Sequence, residues 1–254
     1  MKYFKSILLL IIANFLAEAG YCQAKQARNE SAIFAQRIIL KYSKHGDAEI
    51  ASHSDTLRIP VAGKKYPALQ KALSYENLFL GDGLKTLQDH YADCACGITG
   101  LNYEITFENQ EVISLKLFYD TEAAYPSSFQ QWLTLNKQTG KAYPLSAEID
   151  PNGRRWLFKI YKDTLLNRIE RDKEATSDKD SVTYDELKTN INQLESSELF
   201  SKYIFTGKGI MLSIDAILPH AVQEEEPDED LFIPFSKLKS YVLPQAIVIK
   251  KQTQ

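Results

Sequence analysis

Apolar and polar residues alternate through the middle of the chain. From Leu101 to Glu108 every second residue is apolar, and the residues between are polar. A period of two predicts a β-strand with one dry face and one wet face. After a turn at 109–110 the alternation resumes over 113–119, and a further strand pattern covers 129–135. We therefore predict an antiparallel meander that closes with a turn at 137–140.

The N-terminal part of the chain carries weaker signals. The apolar residues of 28–61 fit either a helix or a strand, and only 56–61 favours a short strand, placed at a sheet edge by its proline. A helix is predicted over 66–73, because its proline suits a first helical turn. Asp82 can cap a second helix. The apolar residues that share one face of that helix are Leu84, Leu87 and Tyr91.

The strand pattern ends before 150–153, where Asp-Pro-Asn-Gly forms a cluster of residues that interrupt regular secondary structure. Apolar residues then recur every four positions from Leu157 to Ile169, which predicts an amphipathic helix. The segment 170–180 carries charges of both signs and predicts a solvated loop. The sequence 183–186 fits a capping box at the start of a second helix. These patterns predict a helix pair after a boundary near Asp150.

Strand character returns towards the C-terminus. The segments 203–205 and 210–217 are predicted strands. An acidic loop from Glu224 to Asp230 leads to a short predicted helix at 236–241, and 246–249 favours a last strand.

Strands, a helix pair and more strands indicate an α+β fold. We predict an antiparallel meander followed by a helix pair and further antiparallel strands, in two domains, residues 25–150 and 151–254. The 254 residues are 44% hydrophobic, enough for a real core. The formal net charge is −3 without a basic cluster, which gives no electrostatic reason to bind nucleic acid.

Residues 1–24 have the layout of a secretory signal peptide. Lys2 and Lys5 precede an apolar run at 7–16, and small residues follow it. The run is about half the length of roughly 20 residues that a membrane-spanning helix needs, so no stable membrane span is expected. We expect an exported protein, periplasmic or secreted.

The cleavage site stays open between Ala19 and Ala24. The choice decides whether Cys22 survives in the mature chain. Lipidation of Cys22 is an alternative, although the preceding Tyr21 is not the small residue that usually stands there. A retained signal-anchor is a further alternative.

Two cysteines, Cys94 and Cys96, are separated by one residue. Export would place them where disulfides persist. A bridge across a single residue is strained, which makes it easier to reduce, so a disulfide or redox pair is one interpretation. Incidental thiols, or a structural bridge at a loop start, are the plainer interpretation. Two ligands do not complete a zinc site, and we expect neither a metal nor a cofactor.

Other candidate chemistry is weak. Ser236 and Lys239 match an S-x-x-K pattern, but the partner motifs of that enzyme class are missing, so chance explains the match. The loop 224–230 lacks the spacing that wraps oxygens around calcium. Glu104 and Glu108 are expected on one strand face as ordinary exposed carboxylates. No pair of histidines has the helical spacing of metal ligands: His45, His53, His90 and His220.

Two stretches resemble the paired domains of unknown function of RsiV-like extracytoplasmic proteins. The first stretch covers 102–117 and 133–141, with an "ilSl" strand and a "tGk" turn. The second covers 205–210, 218–221 and 232–241, with a strand, an "apya"-like turn and an "ipyseLk"-like segment. The chain departs from the family pattern at Gln223, where a glycine is usual after the turn.

The resemblance implies two closely packed α+β halves and cell-envelope biology. Some relatives are ectodomains of lysozyme-sensing anti-sigma factors, and others stand beside polysaccharide deacetylase domains. We therefore expect a non-catalytic binding module whose partner is a lysozyme-like protein or peptidoglycan. Two alternatives stay open: a cell-wall hydrolase with scattered catalytic residues, and an accessory protein with a redox-active cysteine pair.

Overall fold

The computed structural model describes residues 31–42, 53–175, 181–214 and 228–253. Contacts between Cα atoms group 33–254 into one compact unit.

The N-terminal part is a β-hairpin followed by three helices. The hairpin strands pair antiparallel from Ile33 against Ala62 to Tyr42 against His53. The predicted helices at 66–73 and after Asp82 are confirmed, although Gly83 occupies the N-cap of the latter without a side-chain hydrogen bond. The elements are β1 (Ile33–Tyr42), β2 (His53–Ala62), α1 (Pro67–Ala72), α2 (Tyr75–Leu78) and α3 (Leu84–Cys94).

The predicted meander is confirmed. Strands β3 (Gly97–Glu108), β4 (Val112–Glu122) and β5 (Ser127–Asn136) form a three-stranded antiparallel sheet in chain order. The α+β fold class is confirmed as well, because helices and a second three-stranded antiparallel sheet follow. The later elements are α4 (Pro151–Ala175), α5 (Ser181–Gln193), α6 (Ser196–Ser201), β6 (Tyr203–Phe205), β7 (Gly209–Leu212), β8 (Leu231–Pro234) and α7 (Ile249–Thr253).

The breaker cluster at 150–153 starts a helix. Asp150 accepts a hydrogen bond from the Gly153 backbone N–H at 2.7 Å, and Pro151 fills the first helical position. A carboxylate cap followed by proline is a favoured helix start. The predicted solvated loop at 170–180 is wrong over its first half, since α4 continues to Ala175; residues 176–180 lie outside the described residues.

Two further predictions near the helix ends are wrong. Helix α5 begins at Ser181, so Thr183 lies inside its first turn and is not its cap. The predicted strand at 246–249 is absent, and α7 begins at Ile249 instead. The backbone N–H groups of this segment bind the buried carboxylate of Glu148, which holds it out of any sheet. The short helix predicted at 236–241 is present as two 3-10 turns.

Strand β4 is covered on both faces. Residues 112–115 are all buried with 0% exposure, including the polar Ser114. On one face the Tyr119 hydroxyl donates to the Leu78 carbonyl oxygen of α2 at 3.0 Å. On the other face Ser114 meets β6. The meander is therefore the middle layer of the unit, and Ser114 lies on the face opposite Ile113, where it is buried against β6.

Three hydroxyl groups join the meander to β6, and we call Thr106, Ser114 and Thr134 the hydroxyl seam. Thr106 Oγ1 donates to the Phe205 carbonyl at 2.8 Å, and Thr134 Oγ1 donates to the Tyr203 carbonyl at 3.0 Å. The Phe205 N–H donates to Ser114 Oγ at 3.2 Å, and Ser114 and Thr134 hydroxyls lie 3.0 Å apart. Buried polar groups are tolerated when they are paired like this.

One apolar cluster takes residues from both sides of Asp150. It includes Phe107 and Val112 of the meander, Leu157 and Tyr161 of α4, and Phe205 of β6. Burial of this shared surface supplies the main packing energy between the meander and the later elements. The predicted domain limits at 25–150 and 151–254 stay a prediction.

Candidate functional site

The two cysteines lie at one end of the meander. Cys94 is the last residue of α3, Gly97 is the first of β3, and Cys94 and Cys96 form a disulfide. Cys94 is exposed and Cys96 is half-buried. The redox function of this pair stays a prediction.

The turn at the disulfide is fixed by its own backbone. Ala95 adopts a left-handed conformation with φ of 53°, and its N–H donates to the Tyr91 carbonyl at 2.8 Å, which closes α3. Gly97 has φ of 87°, a conformation that glycine tolerates well. Tyr91 is fully buried and donates to Asp55 at 2.7 Å, so α3 is anchored to the first hairpin. Burial, together with this acceptor, raises the pKa of Tyr91.

A surface pocket of about 260 Å³ lies between β2 and the α1–α2 region, and we call it the Gln36 pocket. Its lining includes both apolar side chains and polar residues, and the polar residues are Gln36, Gln70, Ser74, Tyr75 and Glu76. Strand register places Phe34, which is 55% exposed, two residues from Gln36 on the same face of β1. The apolar lining residues are Ile59, Val61, Ala62 and Leu73.

The polar groups of the Gln36 pocket are positioned by hydrogen bonds. Gln36 Nε2 donates to the Tyr75 hydroxyl at 3.3 Å, and Gln70 Nε2 donates to the Ala62 carbonyl at 3.1 Å. Hydrogen bonds from its own backbone N–H and from Ser74 lower the pKa of the Glu76 carboxyl. Glu76 is therefore ionised at neutral pH and gives the pocket lining a hydrogen-bond acceptor. The sequence carried no signal for this site, because residues 28–61 fitted two kinds of element.

The histidines do not gather into a site among the described residues. His90 is exposed on α3, and the backbone of His53 begins β2. His45 and His220 lie outside the described residues. No group of three or more His, Cys, Asp or Glu side chains that could hold a metal ion occurs within the described ranges.

The structure separates the other residue pairs. Ser236 and Lys239 are both exposed and belong to two different 3-10 turns. The register shift between Ile105 and Phe107 is a bulge, and it puts Glu104 and Glu108 on opposite faces of the sheet. The expectation that they share one face is wrong.

Glu108 also has a defined partner. Lys137, only 3% exposed, places its Nζ 2.8 Å from Glu108 Oε1 and 2.8 Å from the Asn109 carbonyl. The same ammonium lies 5.0 Å from the centroid of the Tyr66 ring. A buried cation needs such pairing, so these contacts are structural.

The end of the acidic loop is held against α4. Arg168 donates to the carbonyl oxygens of Asp228 and Asp230, and the Tyr161 hydroxyl donates to that of Glu229 at 2.8 Å. Burial is the main cause that raises the pKa of Tyr161, and the nearby carboxylates raise it further. The loop from Glu224 to Pro227 lies outside the described residues, so calcium binding there stays untested.

No described helix combines the length and the apolar character that crossing a membrane requires. The signal peptide predicted at 1–24 and its two cleavage points lie outside the described residues.

Comparison with known proteins identifies the fold. No protein-family model matches the sequence, and no curated protein matches it. Solved structures do match. A DUF3298 family protein from Pseudomonas aeruginosa has a TM-score of 0.55 and 16% identity, over 84% of this chain and 95% of its own. A DUF3298 family member from Bacteroides fragilis has a TM-score of 0.52 and 12% identity, over 89% of this chain and 99% of its own. This chain thus shares the fold of DUF3298 family proteins, an uncharacterised domain family.

Proposed function

We propose that this protein is an exported, non-catalytic binding module of the cell envelope, and that the Gln36 pocket takes a unit of cell-wall glycan. The observation that carries the proposal is the pocket itself, which is lined by apolar side chains together with amide, hydroxyl and carboxylate groups. Ligand sites commonly combine an apolar lining with a few placed polar groups.

The chemistry of the pocket fits a sugar. Side-chain amides both donate and accept, so Gln36 and Gln70 can match hydroxyl groups of a ligand in either role. The ionised Glu76 accepts from further hydroxyls. The exposed ring of Phe34 offers a flat apolar surface to the C–H face of a sugar. A volume of about 260 Å³ leaves room for one sugar unit and not for a long chain.

Export is part of the proposal and is supported by the layout of residues 1–24. Fractionation of the source cells followed by N-terminal mass determination checks it. A mature chain that starts at Gly20 or Lys25, recovered from outside the cytoplasm, is the expected result. An intact N-terminus on cytosolic protein would contradict export.

The RsiV-like resemblance supports the second partner, a lysozyme-like protein. It rests on the motif segments at 102–117, 133–141, 205–210, 218–221 and 232–241. Ser114 of the first segment and Phe205 of the third are hydrogen-bonded to each other inside the unit, so these motif residues are structural. Because these motif residues are not available to a partner, the chemistry of the Gln36 pocket decides the choice of ligand, and it favours the glycan. Lysozyme serves as the comparison ligand in the experiment.

The test measures binding of the purified mature chain to insoluble peptidoglycan and to soluble muropeptides by sedimentation and calorimetry. Gln36→Ala and Gln70→Ala should each weaken binding roughly three- to tenfold, since one neutral hydrogen bond contributes about 1 kcal/mol. The matched control Gln138→Ala removes an exposed amide from the 137–140 turn and should leave binding unchanged.

Three outcomes count against the proposal. Unchanged affinity in both pocket variants would remove the pocket as the site. Binding of lysozyme without binding of muropeptides would replace the ligand. Release of soluble muropeptides from sacculi by the purified chain would show a hydrolase and overturn the non-catalytic assignment.

A further inference from the structure

The disulfide contributes little to holding the chain together. Cys94 and Cys96 are two positions apart, and the stabilisation from a disulfide falls as the loop it closes shortens. The turn has independent support, because the Ala95 N–H closes α3 and Gly97 and Ile98 are already paired with Glu122 and Thr121. Because the disulfide does not connect elements that are distant in the sequence, it contributes little to the stability of the fold.

One of the two cysteines is also exposed. Cys94 is exposed at the end of α3, and its Sγ lies 3.2 Å from the His90 carbonyl oxygen. Once reduced, the Cys94 thiol can donate to that carbonyl without any movement of the helix.

An exposed apolar loop stands at the same end of the sheet. Gly97 pairs with Glu122, and the chain then turns through 123–126 before β5 begins. All four turn residues are exposed, and Tyr125 at 82% is the most exposed of the large hydrophobic side chains among the described residues. Tyrosine is enriched among the residues that anchor protein–protein interfaces. Because Cys94 is exposed as well, a protein that contacts Tyr125 would meet the disulfide at the same end of the sheet.

We propose that Cys94–Cys96 is a thiol–disulfide exchange site whose substrate is a dithiol protein that docks on Tyr125. A thiolate of the partner attacks Sγ of Cys94. The Cys94–Cys96 bond breaks, a mixed disulfide forms at Cys94, and the electron pair leaves on Cys96, which takes a proton from water. The partner's second thiolate then attacks the partner sulfur of the mixed disulfide and releases Cys94. The net step oxidises the partner dithiol and reduces Cys94–Cys96 by two electrons.

The fold sets the direction of attack. The C-terminal end of α3 carries partial negative charge, which disfavours a leaving thiolate on Cys94. Cys96 lies two residues beyond that end, so the negative charge develops there more easily. The difference in exposure also favours attack on Cys94, because Cys94 is exposed whereas Cys96 is half-buried. The mixed disulfide should therefore form on Cys94.

The experiment uses a thioredoxin variant that lacks its resolving cysteine, because this single-thiol probe can make the first attack but cannot release the mixed disulfide. Incubated with the folded, oxidised chain, it should form a mixed disulfide that peptide mapping locates at Cys94. An adduct at Cys96 in place of Cys94 would overturn the direction, and no adduct would overturn the exchange site. Reduction by dithiothreitol should go to completion with an unchanged circular dichroism spectrum. Reduction only after unfolding would also overturn the site.

Docking is tested by Tyr125→Ala. This variant should form the thioredoxin adduct several-fold more slowly and react with dithiothreitol at the rate of the original chain. Phe232→Ala is the matched control, since Phe232 is also an exposed aromatic residue, at 45%, but belongs to β8. Equal adduct rates for both variants would overturn docking on Tyr125.

Discussion

At the scale of single residues, Glu148 holds the C-terminal segment in place. Its side chain is fully buried and accepts hydrogen bonds from the Tyr143 hydroxyl at 2.6 Å and from the backbone N–H groups of Ile247, Val248 and Ile249 at 2.8–3.1 Å. Donors from several directions compensate the cost of burying the carboxylate.

Glu148→Gln should lower the free energy of unfolding by about 2–4 kcal/mol, because an amide nitrogen would then face backbone donors. Urea denaturation measures this change. The matched control is Glu104→Gln, an exposed position where a change within about 0.5 kcal/mol is expected. Equal stability of the two variants would contradict a stabilising role for the hydrogen bonds that Glu148 accepts.

Both the backbone conformation at position 140 and the lack of space for a side chain there require a glycine. Its φ is +65°, and a Cβ atom there would overlap the carbonyl group of Ala68 in α1. The turn that carries Gly140 thus packs directly against α1, so any side chain would push the two apart.

Gly140→Ala should cost roughly 2–4 kcal/mol, from the left-handed conformation and from the displacement of α1. Thermal and urea unfolding measure it. Gly207→Ala is the control, since Gly207 has open space around its Cα. A Gly140 variant as stable as the Gly207 variant would refute the close packing.

At the scale of elements, the hydroxyl seam decides how β6 attaches to the meander. Ser114→Ala leaves the buried Phe205 N–H without its acceptor and removes the contact with Thr134. We expect a loss of about 1–3 kcal/mol in the free energy of unfolding. Ser128→Ala, at an exposed position of β5, serves as control.

A double-mutant cycle of Ser114→Ala with Thr134→Val distinguishes the energy of the contact between the two hydroxyl groups from the effect of lost side-chain volume. The two changes should be non-additive, because the hydroxyls contact each other at 3.0 Å. Additive losses would show that the hydroxyls act independently.

At the scale of the whole molecule, buried tyrosines make stability depend on pH. Burial raises the pKa of Tyr119 to about 12, and burial is also the first cause of the raised pKa values of Tyr91, Tyr143, Tyr161 and Tyr203. In the unfolded chain a tyrosine has a pKa of about 10. Above pH 10 the unfolded state therefore binds fewer protons than the folded state, and stability falls with rising pH.

The free energy of unfolding should be insensitive to these groups below about pH 10 and should decrease progressively towards pH 12. Urea denaturation at a series of alkaline pH values measures this decrease. Tyr119→Phe should flatten the slope, because phenylalanine does not ionise. A slope that Tyr119→Phe leaves unchanged would contradict the contribution from burial.

The sequence by itself determined the meander and the first helix of the later pair. Alternation over 101–119 and a four-residue repeat over 157–169 are local patterns, and each specifies an element whose one side is apolar. The cysteine pair was also visible, because its spacing is local. The Gln36 pocket was not, since it combines residues of β1, β2, α1 and α2 whose meeting depends on packing.

Only the tertiary structure decided what covers each polar face. Ser114 looks solvent-facing in sequence but is fully buried, because β6 supplies the hydrogen bonds that water would otherwise make. Likewise Val248 and Ile249 look like a strand until Glu148 takes their backbone N–H groups. A periodic pattern identifies which positions are polar. It does not identify the group that a polar atom will bind, because that group can lie about a hundred residues away in the chain.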